Sequence, residues 1–325
     1  MSVKAGSGSA ASWDRRAERG AMLGLRFGVA FFRLVGARLC LLLAIPVVTY
    51  FFLTDRDGRR ASLDYLRRVH ATPDGRRVLG RPPTRWTSYR HYRGFALAIV
   101  DRLDLWLGRE SRFSFEFHGR EPLAKLVKEK RGVLVLGAHL GSFDALRALA
   151  RLDRVVVNLA MYTNHAARIN RVFRDLSPEA EVRVIPLDPT SAHSVFALRG
   201  CIERGEMVAI LADRVHPGDR RRRCEVPFLG APASFPTGPH ELAAVLGCPV
   251  FLLLGLRTGR RRYDVVAERL FERVELPRRP PERAARVASY VADYAAALER
   301  HVLRAPLQWY NFFDFWEQPR SGRMS

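Results

Sequence analysis

Short apolar runs and helical patterns alternate along most of the chain after residue 112. Residues Phe113–His118 alternate between apolar and polar positions, which is the period of a strand. The apolar runs of strand length are Val133–Leu136, Val155–Ala160, Val182–Ile185, Val208–Leu211 and Val250–Leu254. Helical spacing of apolar residues occupies Asp144–Ala150, Ala166–Leu176, Ser191–Arg204, Pro239–Leu246 and Pro281–Leu303. Strands that alternate with helices predict an α/β fold with a mixed central sheet flanked by helices.

The N-terminal part carries a different pattern, a long apolar stretch without alternation. Residues Leu39–Leu53 contain no charged side chain, but a helix of this length spans only about 22 Å of a hydrocarbon core of about 30 Å. Including Gly28–Arg38 makes it long enough, with Arg33 and Arg38 inside. A cleaved signal peptide is disfavoured because no small-residue cleavage site follows. A buried core helix stays possible, and we expect a membrane-anchoring helix within residues 21–56 that spans or lies in the bilayer.

Composition adds a strong basic charge to this picture. The 325 residues include 54 Lys and Arg against 33 Asp and Glu, a net charge of +21, and only four of the cations are Lys. Arginine binds phosphates and carboxylates in bidentate fashion, so the natural partners are nucleic acids, anionic lipid headgroups or acidic carrier proteins. The four cysteines have no paired spacing, which argues against a zinc site or a disulfide framework and fits a reducing compartment.

The stretch Gly132–Ala150 contains the first candidate for chemistry. It predicts a buried strand, a tight turn and a helix, with His139 in the turn and Asp144 at the helix start. A histidine at the end of a strand, with a carboxylate close behind, can act as a general base whose imidazole the carboxylate orients. The plainer interpretation is a loop histidine beside an acid that favours the helix dipole. We also expect backbone N–H groups near Gly141 to stabilise an oxyanion.

Other polar residues follow other predicted strands. Asp213 and Arg214 come directly after Val208–Leu211, and Arg168 lies in the polar stretch after Val155–Ala160. Ligands of α/β sheets bind outside the carboxyl ends of the strands, so we expect these side chains near His139. Arg214 is the candidate anion clamp. The loop that ends in Arg220–Arg223 is either a solvated surface or a contact for phosphate groups.

Several well-known catalytic signatures are absent from the sequence. There is no GxSxG elbow, no Walker A loop and no strand-associated GxGxxG. A histidine and a carboxylate without an evident nucleophile suit direct transfer, in which His139 removes the proton of a hydroxyl that attacks an activated acyl group. Two alternatives remain: an ester hydrolase that uses the same pair, and a basic nucleic-acid-binding protein. The apolar segment and the lack of a nucleic-acid-binding motif weigh against the second.

Five blocks of sequence, in order, resemble a known family. The blocks are GAHLGSFD, MYTNHAARIN, LADR, VPFLGAPASFPTGP and YNFFDFW. Together they look like bacterial acyltransferases of the lysophospholipid acyltransferase superfamily, in the branch of the lauroyl and myristoyl (late) acyltransferases of lipid A biosynthesis. By motif, His139 and Asp144 match the catalytic pair, and Arg214 matches an acceptor-binding arginine. Enzymes of that branch more often carry a Trp-Glu pair where this chain has Phe143-Asp144.

The resemblance implies a complete set of expectations. It implies a glycerolipid-acyltransferase-like fold, an acyl thioester of acyl carrier protein or coenzyme A as donor, and a lipid or glycolipid acceptor. We further expect no cofactor, no metal and no nucleic acid, an anionic membrane surface as partner, and a catalytic domain on the cytoplasmic side of the bacterial inner membrane. Substrate binding is expected at Arg168, Asp213, Arg214 and Gly141. The expected layout is a polar tail over 1–20, the anchor over 21–56, the acyltransferase domain over 57–318 and a tail over 319–325.

Overall fold

A seven-stranded mixed sheet forms the centre of the molecule in a computed structural model of the chain. The structure describes Phe32, Leu34 and Gly36, and then residues 39–144, 155–161, 182–187, 192–215 and 222–316. The strands are β1 (Ser114–His118), β2 (Val133–Gly137), β3 (Val157–Met161), β4 (Val182–Pro186), β5 (Met207–Leu211), β8 (Val250–Gly259) and β9 (Arg262–Phe271), and their order across the sheet is β1-β9-β8-β2-β5-β3-β4.

Among the described strands of this sheet, β8 and β9 form the one antiparallel pair; β8, β2, β5, β3 and β4 run parallel, and β1 runs parallel to β9. The carboxyl ends of β2 and β5 therefore lie together at one edge of the sheet, where β8 also ends and β9 begins. The mixed α/β sheet predicted from the sequence is confirmed.

Helices cover both faces of this sheet. They are α1 (Leu39–Thr54), α2 (Arg56–Ala71), α3 (Pro73–Leu79), α4 (Arg85–Trp106), α5 (Arg120–Lys128), α6 (Ala192–Glu203), α7 (Gly238–Leu246) and α8 (Pro280–Arg304). Alternate residues of β2 point to opposite faces: Leu134 and Leu136 pack in the larger core with α2, α6, α7 and α8, while Val133 and Val135 pack in a smaller core with α5. Burial on both faces explains why β2 is a continuous apolar run.

Two segments differ from the sequence-based expectation. The Pro- and Gly-rich stretch Val226–Pro239 has the composition of a loop, but most of it forms an antiparallel hairpin of β6 (Arg223–Phe228) and β7 (Ala231–Pro236). Its side chains Phe228 and Phe235 are fully buried, so packing against the core stabilises strands that proline disfavours. Strand β9 was not predicted, because its apolar residues at 265–267 are flanked by charged ones.

The N-terminal apolar stretch forms α1, and Asp55 separates α1 from α2. The Asp55 side chain caps the first turn of α2 by accepting a hydrogen bond from the Gly58 N–H at 2.8 Å. Among the described helices, none is by itself long and apolar enough to cross a bilayer; α1 and α2 meet the length and composition requirement only as a pair, bent by 91°.

The predicted helices Asp144–Ala150 and Ala166–Leu176 lie, apart from Asp144, outside the described residues. The predicted helices near α6, α7 and α8 are confirmed.

The C-terminal residues after α8 run back across the sheet edge. A short 3-10 helix (Pro306–Gln308) leads into Trp309, Tyr310 and Asn311, all buried. We call residues 306–312 the C-terminal strap. The aromatic cluster Trp309–Trp316 docks on the protein, because Trp309 and Phe315 are buried in the larger core. Tyr65 of α2 donates its hydroxyl hydrogen to the Pro306 carbonyl at 2.7 Å just before the cluster.

Candidate active site

His139 and Asp213 face each other at the carboxyl ends of β2 and β5. Gly137 pairs with Leu211 in the register of these parallel strands, and each of the two site residues lies two positions further along its chain. The imidazole Nδ1 of His139 is 2.7 Å from Oδ1 of Asp213, and the backbone N–H of His139 donates to Oδ2 of the same carboxylate at 2.9 Å. The two neighbouring strands thus place the histidine and the carboxylate side by side at the same edge of the sheet.

Asp213 is completely buried, and neighbouring groups stabilise its negative charge. Burial by itself would raise the pKa of this carboxyl, but the charge of His139, hydrogen bonds from its ring and backbone, and the nearby Arg214 together lower the pKa below the ordinary value. The ionised carboxylate is only an acceptor, so Nδ1 of His139 carries a hydrogen, and in the neutral imidazole the lone pair lies on Nε2. The His139 side chain is 29 % exposed. A histidine held in this way at the solvent side of the sheet edge has the geometry that a general base requires.

Asp144 has different partners from those expected. Its carboxylate accepts hydrogen bonds from Nε of Arg102 at 2.6 Å and from Nε1 of Trp106 at 2.7 Å, both on α4. We expected Asp144 to orient the imidazole, and this pairing needs correction: the Nδ1 atom of His139 is occupied by Asp213. The physical reason is the sheet register, which places Asp213 level with His139. Asp144 instead connects the turn after β2 to α4.

The backbone N–H of Gly141 also forms a hydrogen bond within the fold. Its N–H donates to the Gln308 carbonyl at 2.8 Å, and the next N–H, of Ser142, donates to the Gly255 carbonyl at 2.7 Å. These two donors are therefore not directed at a substrate, contrary to the oxyanion role expected near Gly141. The residue has φ of +71°, and a Cβ there would lie 2.1 Å from the Gly255 carbonyl oxygen. Glycine is required by the close packing of the turn against β8.

Arg214 contacts the C-terminal strap. Its Nε donates to Oδ1 of Asn311 at 2.5 Å, and its second guanidinium nitrogen donates to the Tyr310 carbonyl at 2.7 Å. Burial lowers the pKa of this guanidinium, and the Asp213 charge opposes that shift. The structure thus brings Arg214 beside the His139–Asp213 pair, as the strand ends predicted. Arg168 and the polar residues before it lie outside the described residues, so no neighbour can be assigned to them.

Sequence reasoning did not identify Trp309 as a residue of the site. Its indole Nε1 donates to Oδ2 of Asp213 at 3.0 Å, and the strap also pairs with the turn at Leu140. The Tyr310 N–H donates to the His139 carbonyl at 2.9 Å. Trp309 is 96 residues from Asp213 in sequence, and its only visible signal was membership of an aromatic cluster, which is more often a packing feature.

A buried polar chain supports Trp309 from the helices. Nε2 of His91 lies 2.9 Å from the Trp309 carbonyl, which can only accept, so this nitrogen carries the hydrogen. Nδ1 of His91 therefore accepts from the Ser62 hydroxyl at 3.0 Å, and Ser62 accepts from Ser88 at 2.9 Å. Burial lowers the pKa of His91 to about 4, against a smaller raising effect of the Trp309 carbonyl. The chain is thus uncharged at neutral pH and links α2 and α4 to the site.

Comparison with known families agrees with this geometry. The sequence profile of the bacterial lipid A biosynthesis acyltransferase family matches residues 87–317, which include every described residue of the site. The chain belongs to this family. It is an acyltransferase that acts on a lipid. No curated protein sequence matches the chain. Membership in a family of acyltransferases favours the acyl-transfer interpretation over the hydrolase and nucleic-acid interpretations of the sequence.

Proposed function

We propose that the enzyme is a membrane-associated O-acyltransferase that moves a fatty acyl group from a thioester to a hydroxyl of a lipid or glycolipid acceptor. The observation that carries this proposal is the pair of His139 and Asp213. A buried carboxylate holds Nδ1 of His139, which leaves Nε2 as the ring nitrogen that can act as the base, and the side chain is partly exposed. This is the geometry that general-base activation of a hydroxyl requires.

The proposed reaction proceeds in two steps around His139. Nε2 accepts the proton of the acceptor hydroxyl while its oxygen bonds to the thioester carbonyl carbon, and the charge of Asp213 stabilises the imidazolium that forms. The tetrahedral intermediate then loses the thiolate, which takes the proton from Nε2. The products are the acylated lipid and a free thiol, and His139 is again neutral. Neither step calls for a cofactor or metal.

Other residues are proposed to assist this pair. Asp144 positions the turn that carries His139 through its bonds to Arg102 and Trp106. Arg214 provides a positive charge beside the site for a phosphate of the donor or acceptor, and Arg168 is proposed to bind substrate as well. The donor is acyl carrier protein or coenzyme A in thioester form. A net charge of +21 favours both an acidic carrier protein and an anionic membrane surface.

The proposed location is the cytoplasmic side of the bacterial inner membrane. The apolar helix α1 supports membrane association, because most of its large side chains are exposed, among them Leu42, Tyr50 and Leu53. Exposed apolar surface of this extent marks an interaction site.

The decisive assay supplies the purified full chain with acyl thioesters of carrier protein and of coenzyme A, with and without a bacterial lipid extract. Mass spectrometry of the lipids should show an acylated product only when acceptor is present, and cells that lack the protein should accumulate a lipid short of one acyl chain. His139→Ala should lower turnover by about 10²-fold to 10⁴-fold without unfolding the protein. Full activity of this variant, or release of free fatty acid at the same rate without acceptor, would refute the proposal.

A further inference from the structure

An apolar groove and a basic pocket meet at one residue, Arg260, on the side of the molecule formed by α1 and α4. The groove has a volume of about 410 Å³, and apolar side chains of both helices line it. The pocket, of about 500 Å³ and wide open, is formed by the turn between β8 and β9 and by the residues before β1. Arg260 lines both cavities.

The arginines of this turn divide into two kinds. Arg257 and Arg261 are paired with buried carboxylates of α4, Asp101 and Asp104, both at 2.9 Å. Their charges are thereby balanced within the fold. In contrast, Arg260 and Arg262 are exposed and have no carboxylate partner among the residues that the structure describes. Two unbalanced guanidinium groups beside hydroxyls of Ser111 and Ser114 match the charge and hydrogen-bonding needs of a phosphate.

The groove beside them matches an acyl chain. Its lining is almost entirely apolar, with Leu41, Val48 and Leu97 among the contributing side chains, and Arg93 joins Arg260 as its cationic component. An occupant that fits both cavities therefore carries a hydrocarbon chain next to an anionic group. The N-terminal 31 residues of the chain itself are poorly suited, because they contain five basic and two acidic residues and would bring positive charge to Arg260.

We infer that these two cavities together bind one anionic phospholipid of the membrane, with an acyl chain in the groove between α1 and α4 and the phosphate on Arg260 and Arg262. A membrane lipid is favoured over a water-soluble acyl donor because the outer surface of α1 is itself apolar and exposed. Arg262 begins β9 at the sheet edge to which β2 delivers His139, so a lipid bound here would hold the catalytic edge against the bilayer. The inference rests on the proposed membrane association but not on the acyl-transfer chemistry.

Native mass spectrometry of the full chain in detergent tests this inference, with added phosphatidylglycerol or phosphatidylcholine as probes. The wild-type protein should retain one phosphatidylglycerol in preference to phosphatidylcholine. Arg260→Ser should weaken that binding roughly tenfold, as expected for the loss of one charged hydrogen-bond partner of the phosphate. Ala96→Phe, which fills the groove without changing charge, should weaken it similarly. Arg278→Ser is the matched control, because this exposed arginine follows the far end of β9 and loses the same charge.

Each remaining outcome counts against the inference. Equal weakening by Arg260→Ser and Arg278→Ser would show attraction by surface charge alone. Wild-type binding by Ala96→Phe would show that no chain occupies the groove. Displacement of the lipid by free glycerol phosphate would indicate an anion site without a lipid, and displacement by an acyl-coenzyme A would indicate a donor site. Because the readout is lipid retention, His139→Ala should bind like wild type, and a failure here leaves the acyl-transfer proposal untouched.

Discussion

Two aspartates near His139 have opposite surroundings, and the difference indicates which of them works with the imidazole. Asp213 has no exposed side-chain surface and lies against Nδ1 of His139. Asp144 has a 10 % exposed side chain and is paired with Arg102, which is itself 39 % exposed. Each carboxylate also accepts a hydrogen bond from one indole, that of Trp309 or that of Trp106. The sequence motif identifies Asp144 because it lies close to His139 along the chain. The sheet register instead places Asp213 close to His139 in space.

The largest effect is expected from Asp213→Asn. An amide has one acceptor oxygen, so it cannot accept both from Nδ1–H of His139, as Oδ1 now does, and from the His139 backbone and the Trp309 indole, as Oδ2 now does. It also lacks the charge that stabilises the imidazolium, so turnover should fall by about 10³-fold or more. Steady-state kinetics with a saturating thioester measures this loss, and circular dichroism checks that the fold is retained. Turnover within tenfold of wild type would exclude Asp213 as the partner of the base.

Trp309→Phe should have an intermediate effect. It keeps an aromatic ring in the core but removes the Nε1–H that binds Oδ2 of Asp213, which destabilises the ionised carboxylate and raises its pKa. Turnover should fall about tenfold, since one charged hydrogen bond is lost, and the acid limb of the pH–rate profile should move to higher pH. That limb reports the His139–Asp213 pair as a unit.

The matched control for this variant is Trp106→Phe, which removes the same kind of donor from Asp144. It should leave the acid limb in place. If the role of Trp309 is purely structural, both variants should have a lower melting temperature, and the acid limb of the pH–rate profile should stay in place in both.

Asp144→Asn should lower turnover less than Asp213→Asn by at least about tenfold, because its carboxylate contacts α4 and not the imidazole. Its main cost should be stability, about 1–3 kcal/mol in the free energy of unfolding, since Arg102 loses its charged partner. Denaturant unfolding measures this value. Equal loss of turnover in the two Asn variants would remove the distinction between the aspartates.

The smallest effect on catalysis is expected at His91, which supports Trp309 but not Asp144. Its pKa of about 4 in the folded protein lies below the unfolded value of about 6.5. The unfolded chain therefore binds the proton first, and stability is lost as the pH falls from about 6.5 to 4, by roughly 3 kcal/mol from this group. His91→Gln, which can still donate to the Trp309 carbonyl and accept from Ser62, should show a correspondingly smaller loss over this range with turnover at pH 7 nearly unchanged. An identical pH dependence of unfolding would refute the assignment.

The sequence predicted the parts of this molecule that depend on local pattern. Strands β2 and β5 are apolar because both of their faces are buried, and His139 and Asp213 were found because polar residues at strand ends are visible in a single sequence. The pairing between them was missed, although each lies two residues beyond its strand, because strand order cannot be obtained from periodicity. The hairpin of β6 and β7 was missed because burial of Phe228 and Phe235 overrides the local preference of proline for a loop. Trp309 was missed because its contact joins segments that are far apart in sequence.

The position of Trp309 has a consequence for the order in which the site is assembled during synthesis. The ribosome adds Trp309 96 residues after Asp213, so His139 and Asp213 are already present in the growing polypeptide before the indole that donates to the carboxylate. Asp213 acquires this hydrogen bond only when the strap has folded back across the sheet edge. Until then, the buried carboxylate beside His139 has one hydrogen-bond donor fewer than in the finished fold.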